Sequence, residues 1–179
     1  SEKIFWIYVA GKGIYCYKPG QENAVMVAGT DTLLTEMNIT DMTECREGIL
    51  LAFGNGVLAC LDREKLNVKW TFDGIASQWG KNQSETFTLF VDSHERVWMY
   101  SVEGMWVYHL PKKSWEVRSV RSDRSNMVRA ISQDKYGNIW IGRDQDGIEV
   151  IGLDGESVRL MNDPNNERTI SNNTVTVLY

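Results

Sequence analysis

The sequence has few of the residues that usually carry metal or redox chemistry. It contains three cysteines, Cys16, Cys45 and Cys60, and two histidines, and no two cysteines have the spacing of a zinc or thioredoxin-type motif. An odd number of cysteines cannot pair completely within one chain, so we expect buried, structural thiols. The sequence therefore predicts no metal site and no cofactor.

Long apolar runs, an excess of positive charge and proline are also scarce. No apolar run approaches the roughly 18 residues of a membrane-spanning helix. The net charge is −5, which argues against a nucleic-acid partner. Only three prolines are present, against seven tryptophans and seven tyrosines. Large aromatic residues that recur along a chain suggest an internal repeat.

Four glycines, Gly13, Gly56, Gly104 and Gly147, mark such a repeat at spacings of 43, 48 and 43 residues. Each follows an apolar strand pattern and a short turn, and each opens a second strand pattern. An acidic residue lies six positions before the tryptophan in two units, as Asp92 before Trp98 and Asp134 before Trp140. The period is that of a four-stranded propeller blade and is too long for a leucine-rich repeat.

Each unit also has a strand pattern before its acidic residue and another after a polar turn, so that four strands, A to D, are accounted for. The sequence thus predicts an all-β fold of β-propeller blades, each made of four antiparallel strands, about four blades in all. No segment shows helical periodicity. The predicted blades cover residues 1–37, 38–84, 85–126 and 127–173, with 174–179 the first strand of a further or closing blade.

The ends of this register allow two interpretations. The first unit lacks its A strand, and 174–179 resembles an A strand with nothing after it. This last strand either completes the first blade, which closes a four-bladed ring, or belongs to a further blade of a larger propeller. We favour the second interpretation, a segment of a seven-bladed propeller, because neither end shows a device that would protect an open strand edge.

The fourth unit carries a recognisable motif. Asp134-Lys135-Tyr136-Gly137-Asn138-Ile139-Trp140-Ile141-Gly142, followed by Gly147-Ile148, resembles the signature of two-component regulator propeller repeats. The third unit keeps the aspartate and tryptophan, whereas the second has Leu50 in place of tryptophan. The resemblance implies the periplasmic sensor portion of a Bacteroides-type hybrid two-component system, in which propellers precede a membrane helix and a histidine kinase.

The resemblance also implies a function. We expect an extracytoplasmic, periplasmic, non-enzymatic segment that senses a ligand, a carbohydrate such as an oligosaccharide. Its partners would be the remaining blades of the sensor and a second copy of the chain, through a dimer contact or open blade edges. Two alternatives stay open: a protein-interaction scaffold without a small ligand, and a fragment of a propeller glycosidase or lyase. An apolar flat patch would favour the former, and facing carboxylates the latter.

The long, varied connections place a candidate ligand site. In a propeller the D–A and B–C connections lie at one end of every blade, and here the D–A connections are long and varied. Trp79, in a polar D–A connection, is the candidate for stacking on a sugar face, although packing between blades is the more common role of such a residue. The hydrogen-bonding candidates from the same end are Glu103, Arg124, Arg143 and Asp144.

Overall fold

A computed structural model describes residues 3–27, 38–79, 84–120 and 127–179, with the side chains of Gln78, Trp79 and Val120 left out. The chain divides into two compact units, Ser1–Phe87 and Thr88–Tyr179. Each unit contains two antiparallel sheets, and each sheet is built from strands that follow one another in the sequence. The predicted all-β fold of propeller blades is confirmed.

The first unit contains sheets 1 and 2. Sheet 1 has three strands in the described residues, and sheet 2 has four. The strands of sheet 1 are β1 (Phe5–Val9), β2 (Gly13–Tyr17) and β3 (Val25–Met26). Those of sheet 2 are β4 (Ile39–Cys45), β5 (Gly48–Phe53), β6 (Leu58–Leu61) and β7 (Val68–Phe72). A one-turn helix, α1 (Ala76–Trp79), lies in the connection predicted to be a loop.

The second unit contains sheets 3 and 4, with four strands each. Sheet 3 consists of β8 (Thr88–Val91), β9 (Arg96–Ser101), β10 (Gly104–His109) and β11 (Ser114–Val120). Sheet 4 consists of β12 (Val128–Gln133), β13 (Ile139–Arg143), β14 (Ile148–Ile151) and β15 (Ser157–Leu160). In the described parts of the chain, no helix is long and apolar enough to span a membrane.

Side chains that alternate between the two faces of each strand explain how the core of each unit is formed. In sheet 2, Ile49, Leu51 and Phe53 are buried against Ile14 and Cys16 of sheet 1. In the second unit, buried residues of β13 pack with Trp98 and Tyr100 of sheet 3 in a single apolar cluster. Successive strand residues point to opposite faces, so a strand covered on both faces is apolar throughout, as β5 is.

The tryptophans of the repeat occupy equivalent strand positions. Trp6 lies opposite Cys16, Trp98 opposite Val107 and Trp140 opposite Val150, each on the B strand of its repeat. Trp98 is 1% exposed, whereas Trp6 and Trp140 are only partly buried. Trp140 lines a cleft with Leu178 and Tyr179. The sequence register predicts that all three tryptophans are largely buried, which is confirmed for Trp98 and is too strong for the partly buried Trp6 and Trp140.

Residues 174–179 form no strand with any described sheet. They lie against sheet 4, where the Val175 amide donates a hydrogen bond to the Arg143 carbonyl oxygen at 2.9 Å. A Cβ on Gly142 would come within 2.7 Å of the Val175 side chain. The predicted blade boundaries, and the choice between a closing strand and a further blade, stay predictions.

Candidate functional site at the loop end of the blades

An antiparallel meander separates its connections into two groups. The A–B and C–D turns lie at one end of a sheet, here called the turn end. The B–C turns and the D–A connections lie at the other, here called the loop end. Side-chain contacts that recur in several blades stabilise the fold, whereas polar side chains found in one blade alone are candidates for ligand binding. The two ends are therefore described in turn.

The turn end carries the recurring aspartates. One carboxylate oxygen of Asp134 accepts the backbone N–H groups of Tyr136 and Asn138, both at 2.9 Å. The other accepts the Trp140 indole Nε1–H at 3.0 Å and the Asn138 amide at 2.8 Å. An aspartate at the end of an A strand is expected to accept N–H groups of the A–B turn, and Asp134 does so. Its bond to the Trp140 indole was not expected, although the spacing of six residues places the two side chains together.

Asp92 repeats the arrangement in sheet 3. Its carboxylate accepts the backbone N–H groups of His94 and Arg96 at 2.9 and 3.0 Å, and the Trp98 indole Nε1–H at 2.9 Å. The Arg96 guanidinium also contacts it. Each aspartate thus ties a turn to the tryptophan of the next strand. Two blades need the same contacts, which assigns these carboxylates to structure.

Hydrogen bonds determine the protonation of Asp134. Desolvation would raise its pKa, but the hydrogen bonds donated by Trp140, Asn138 and Tyr136 stabilise the charged form and together lower the pKa to about 2. A carboxylate so fully occupied has little capacity to accept a substrate proton near neutral pH. This is a further reason to assign the turn end to the fold.

The loop end of sheet 4 carries three ion pairs. Arg143 pairs with Glu149, Arg129 with Asp144 and Arg159 with Asp146, each at 2.7 Å. The Arg143 and Glu149 side chains are 6% and 16% exposed, whereas Arg129 and Arg159 are 41% and 47% exposed. The Arg143–Glu149 pair is therefore built into the sheet, whereas the arginines of the other two pairs face solvent.

The D–A connection after sheet 4 is held to the same end. The Gly147 amide donates to the Asn173 carbonyl oxygen at 2.8 Å, and the Asn173 side chain accepts the Asn162 backbone N–H at 2.6 Å. The Asn162 side chain in turn donates to the Ile170 carbonyl oxygen at 2.7 Å. Asparagine amides thus brace the connection, and the ion pairs and this connection form one polar surface.

The predicted site residues fall in different places. Arg143 and Asp144 are consecutive at the end of β13. Arg143 is 5% exposed, and each residue has a cross-strand ion-pair partner, Glu149 and Arg129, that the sequence reasoning missed. Opposite charges near facing strand positions were the available signal. Glu103 lies partly buried in the β9–β10 turn, where its backbone N–H donates to the Ser101 hydroxyl at 3.1 Å.

The positions of the other two candidates, Trp79 and Arg124, relative to Glu103, Arg143 and Asp144 lie outside what the structure describes. Trp79 ends α1 in the first unit, and its side chain lies outside the described residues, as does the whole of Arg124. The ligand site therefore stays a prediction. In the described segments, no group of three or more histidine, cysteine, aspartate or glutamate residues is arranged to hold a metal ion.

The turn end of sheet 4 also carries a cleft of about 330 Å³. Its walls are Ser132, Gln133, Asp134, Trp140, Leu178 and Tyr179. Tyr179 is fully exposed, and with Leu178 it forms a wall made by a single extended segment. The cleft lies beside the Asp134 carboxylate, which is already hydrogen-bonded within its turn, and Ser132 and Gln133 are its other polar walls.

Comparison with known families decides the kind of repeat. Residues 122–142 match the family model described as the two component regulator propeller. This segment resembles a two-component regulator propeller repeat. The match covers the A strand, the aspartate turn and the tryptophan strand of sheet 4, and the resemblance expected from the sequence is confirmed. No curated protein matches the sequence.

Solved structures with the same fold include extracellular domains of two hybrid two-component systems of B. thetaiotaomicron. One is 15% identical with a TM-score of 0.66, over 97% of this chain and 23% of that one. The second is 15% identical with a TM-score of 0.62, over 96% and 22%. A streptogramin B lyase is 16% identical with a TM-score of 0.52, over 72% and 41%. This propeller chain thus spans about a quarter of the length of the two-component relatives.

Proposed function

We propose that this chain is part of the extracytoplasmic, periplasmic sensor region of a two-component signalling protein and has no enzymatic activity of its own. The observation that supports it is the regulator propeller repeat at residues 122–142, in a chain whose sheets resemble extracellular domains of hybrid two-component systems. The turn-end carboxylates, fully hydrogen-bonded, leave the loop end as the surface for a ligand.

We propose a carbohydrate as the ligand, with Trp79, Glu103, Arg124 and Asp144 at the loop ends of their blades as the candidate contacts and Arg143 as a positioning residue. The support is chemical: the loop end of sheet 4 presents carboxylates, guanidinium groups and side-chain amides, which are the groups that hydrogen-bond sugar hydroxyls and acidic sugars. Arg143 is held by Glu149, so its role is to keep the end of β13 rigid. Arg129, which is 41% exposed, and its partner Asp144, which is 16% exposed, then provide the hydrogen bonds to the ligand.

A titration on the complete sensor protein tests this site. The probes are an acidic oligogalacturonide and a neutral xylo-oligosaccharide, measured by calorimetry against the wild-type protein and the variants Trp79→Ala and Asp144→Asn. Losing a stacked ring or a charge-assisted hydrogen bond weakens binding about tenfold or more, on the order of 1.5–3 kcal/mol. The matched control is Lys135→Ala, an exposed residue at the turn end of the same sheet.

The outcomes separate the candidate functions. Weaker binding in both loop-end variants with unchanged binding in Lys135→Ala supports the proposed site. Unchanged affinity in both variants overturns it, and binding of neither oligosaccharide overturns the carbohydrate assignment. Turnover of either oligosaccharide by the purified protein would instead support a glycosidase or lyase.

The apolar face of sheet 1 gives specific support to a protein partner as well. Phe5, Ile7 and Val9 share the outward face of β1 and are 51%, 42% and 40% exposed, and Met26 of β3 is 48% exposed. A row of large exposed apolar residues on one face of a sheet marks a contact surface. We propose that this face packs against another blade of the full sensor or, in the isolated chain, against a second copy.

A further inference from the structure

The repeat tryptophans of sheets 1 and 3 are covered by the next sheet along the chain. Trp6 packs against a cluster that contains Ile49 and Leu51 of sheet 2. Trp98 is buried in a cluster that contains Ile141 of sheet 4. These covering residues lie on the B strand and directly neighbour its tryptophan position. Within each unit, a tryptophan is thus covered by the B strand of the sheet that follows it.

The outward face of sheet 4 carries the next tryptophan of this series. Trp140 lies opposite Val150, and Val150 lies opposite Val158, so the three form one row across β13, β14 and β15. Ile141, beside Trp140 on β13, packs toward sheet 3, so this row points to the other side of the sheet. Trp140 and Val150 are half-buried, and Val158 is 63% exposed. This apolar face is therefore partly open to solvent.

The segment 174–179 crosses this face from the loop end to the turn end. A Cβ added to Gly142 would lie 2.7 Å from the Val175 side chain and 3.5 Å from that of Leu178. At the turn end, Leu178 and Tyr179 form a wall of the cleft. Val175 and Leu178 are half-buried, whereas Tyr179 is fully exposed. One side of the segment therefore contacts sheet 4, and the other side faces solvent.

β12, the A strand of sheet 4, contacts sheet 3 in the same way. Its residues Val128 and Ile131 are both buried in the cluster that contains Trp98. They face one side although they are three residues apart, because the register of β12 shifts between Val128 and Ala130. The two half-buried residues of segment 174–179 have the same spacing. The segment thus has the position and pattern of an A strand whose sheet would stack on sheet 4.

Sheet 1 has the matching edge and face. In sheets 2, 3 and 4 the B strand pairs with an A strand, whereas β1, the B strand of sheet 1, pairs with β2 alone among the described strands. Phe5 and Ile7 flank the tryptophan position of β1, as Ile139 and Ile141 do on β13. Phe5 and Ile7 are 51% and 42% exposed. They therefore occupy the positions that cover a tryptophan elsewhere in the repeat.

We propose that the outward face of sheet 4 binds sheet 1 of a second copy of this chain, and that residues 174–179 of the first copy pair with β1 of the second. In sheet 4, Ser132 of the A strand lies opposite Trp140. The repeat register therefore places Tyr179 opposite Trp6 of the second copy. The apolar face of the second copy's β1 then covers Trp140 of the first. This inference rests on the contact role proposed for sheet 1 and adds the surface that it meets.

The composition of the two strands supports a second copy as the occupant. Neither β1 nor segment 174–179 contains a charged residue or a proline. Charged residues and prolines are the usual protection of an open strand edge against pairing with another chain. One copy carries both surfaces, and each surface is at least partly exposed. The contact joins two different surfaces and is therefore head-to-tail.

Two variants of the 179-residue chain each disable one surface. Ile7→Glu places a charge on the face of sheet 1. Val177→Asp places one on segment 174–179, where Val177 is 66% exposed but Ala130, its counterpart on β12, is 8% exposed. Burying a carboxylate without a partner is costly, so we expect each variant to self-associate about tenfold or more weakly than the wild type. Sedimentation velocity measures this, and unchanged melting temperatures of dilute samples show that the variants are folded.

Mixing the two variants tests the head-to-tail arrangement. Ile7→Glu retains the sheet 4 surface and Val177→Asp retains the sheet 1 surface, so we expect their equimolar mixture to associate more strongly than either variant alone. The matched control, Leu153→Glu, associates as the wild type does. A mixture that associates no better than its components overturns the proposal.

The remaining outcomes separate this proposal from the one on which it rests. If Ile7→Glu weakens association and Val177→Asp does not, the contact role of sheet 1 is retained and sheet 4 is refuted as its partner. A wild-type chain that is monomeric at all concentrations refutes both.

Discussion

Single residues hold each blade together at its turn end. An aspartate there accepts two backbone N–H groups of the A–B turn with one oxygen and the indole N–H of the following tryptophan with the other. The arrangement occurs at Asp92 with Trp98 and at Asp134 with Trp140. The tryptophan therefore donates a hydrogen bond through its indole N–H in addition to packing its apolar ring in the core.

Removing only the indole N–H isolates the polar part of this contact. Trp98→Phe keeps most of the ring but leaves the Asp92 carboxylate, which is fully buried, without one of its donors. We expect a loss of about 2 kcal/mol in the free energy of unfolding, the usual value for a hydrogen bond to a charged group. Denaturant titration measures it.

The partly buried Trp140 provides the comparison for Trp98. Trp140→Phe removes a bond of the same geometry where water can partly replace the lost donor, so its cost is smaller. Equal losses in the two variants would contradict the assignment of the difference to burial.

The pKa of Asp134 predicts a pH dependence of stability. Its folded pKa of about 2 lies below the ordinary aspartate value of 3.8. A depressed folded pKa contributes stability that is fully present above the unfolded pKa and is lost as the pH falls toward the folded pKa. We therefore expect the melting temperature to fall between about pH 4 and pH 2. In Asp134→Asn the melting temperature is lower at neutral pH and falls less over this range; an unchanged profile would refute the role of this carboxylate.

At the scale of the elements, two glycines of the repeat, Gly104 and Gly147, are required for the same steric reason. Gly104 is the first residue of the C strand of sheet 3, and Gly147 directly precedes the C strand of sheet 4. At both positions the chain passes close to the backbone of the neighbouring strand. A Cβ on Gly104 would lie 2.6 Å from the Ser119 carbonyl oxygen, and one on Gly147 would lie 2.2 Å from that of Leu160. Both neighbours belong to the D strand of the same sheet, so the glycine lets strands C and D pair up to the turn.

Two glycines of sheet 4 test this explanation. Gly147 and Gly155 have positive φ angles of 66° and 85°, but only Gly147 is crowded, since nothing lies within 4 Å of a Cβ on Gly155. Gly155→Ala should cost about 1–2 kcal/mol, the penalty of a left-handed backbone. Gly147→Ala adds a clash with backbone that cannot move aside, so we expect more than about 3 kcal/mol. Similar losses, measured by thermal unfolding, would show that crowding is unimportant.

At the scale of the whole molecule, the question is what covers the outward face of sheet 1. Its inward face, with Ile14 and Cys16, is buried against sheet 2, whereas Phe5, Ile7 and Val9 are exposed. A blade is apolar on both faces when both are covered, and β5 of sheet 2 shows this state. Both faces of sheet 1 carry large apolar side chains, as in a blade covered on both sides, but only its inward face is buried.

This face predicts self-association of the 179-residue chain. We expect sedimentation velocity to show a concentration-dependent dimer, driven by burial of the apolar face. Ile7→Glu places a charge at its centre and shifts the equilibrium to monomer. The matched control, Leu153→Glu, changes a residue of similar character that is 65% exposed in the C–D turn of sheet 4, and it leaves the equilibrium unchanged. A wild-type chain that is monomeric at all concentrations would contradict the prediction.

The sequence by itself determined the repeat, the strands and the role of the recurring aspartates. These follow from local rules: alternation identifies strands, and an aspartate followed by a turn and a tryptophan forms its contacts within seven consecutive residues. The D strands that the repeat predicts after the polar turns of the second and third units are found as β7 and β11.

Only the tertiary structure decided the contacts between residues far apart in the sequence. The close approach of the Gly48 backbone to the Leu61 carbonyl group and the Cys60 sulfur depends on the register of β5 against β6. Burial of Arg143 with Glu149 depends on which strand ends face each other. Such pairs have no local signature, because many registers are compatible with the same alternation, and only packing of the sheet faces selects one.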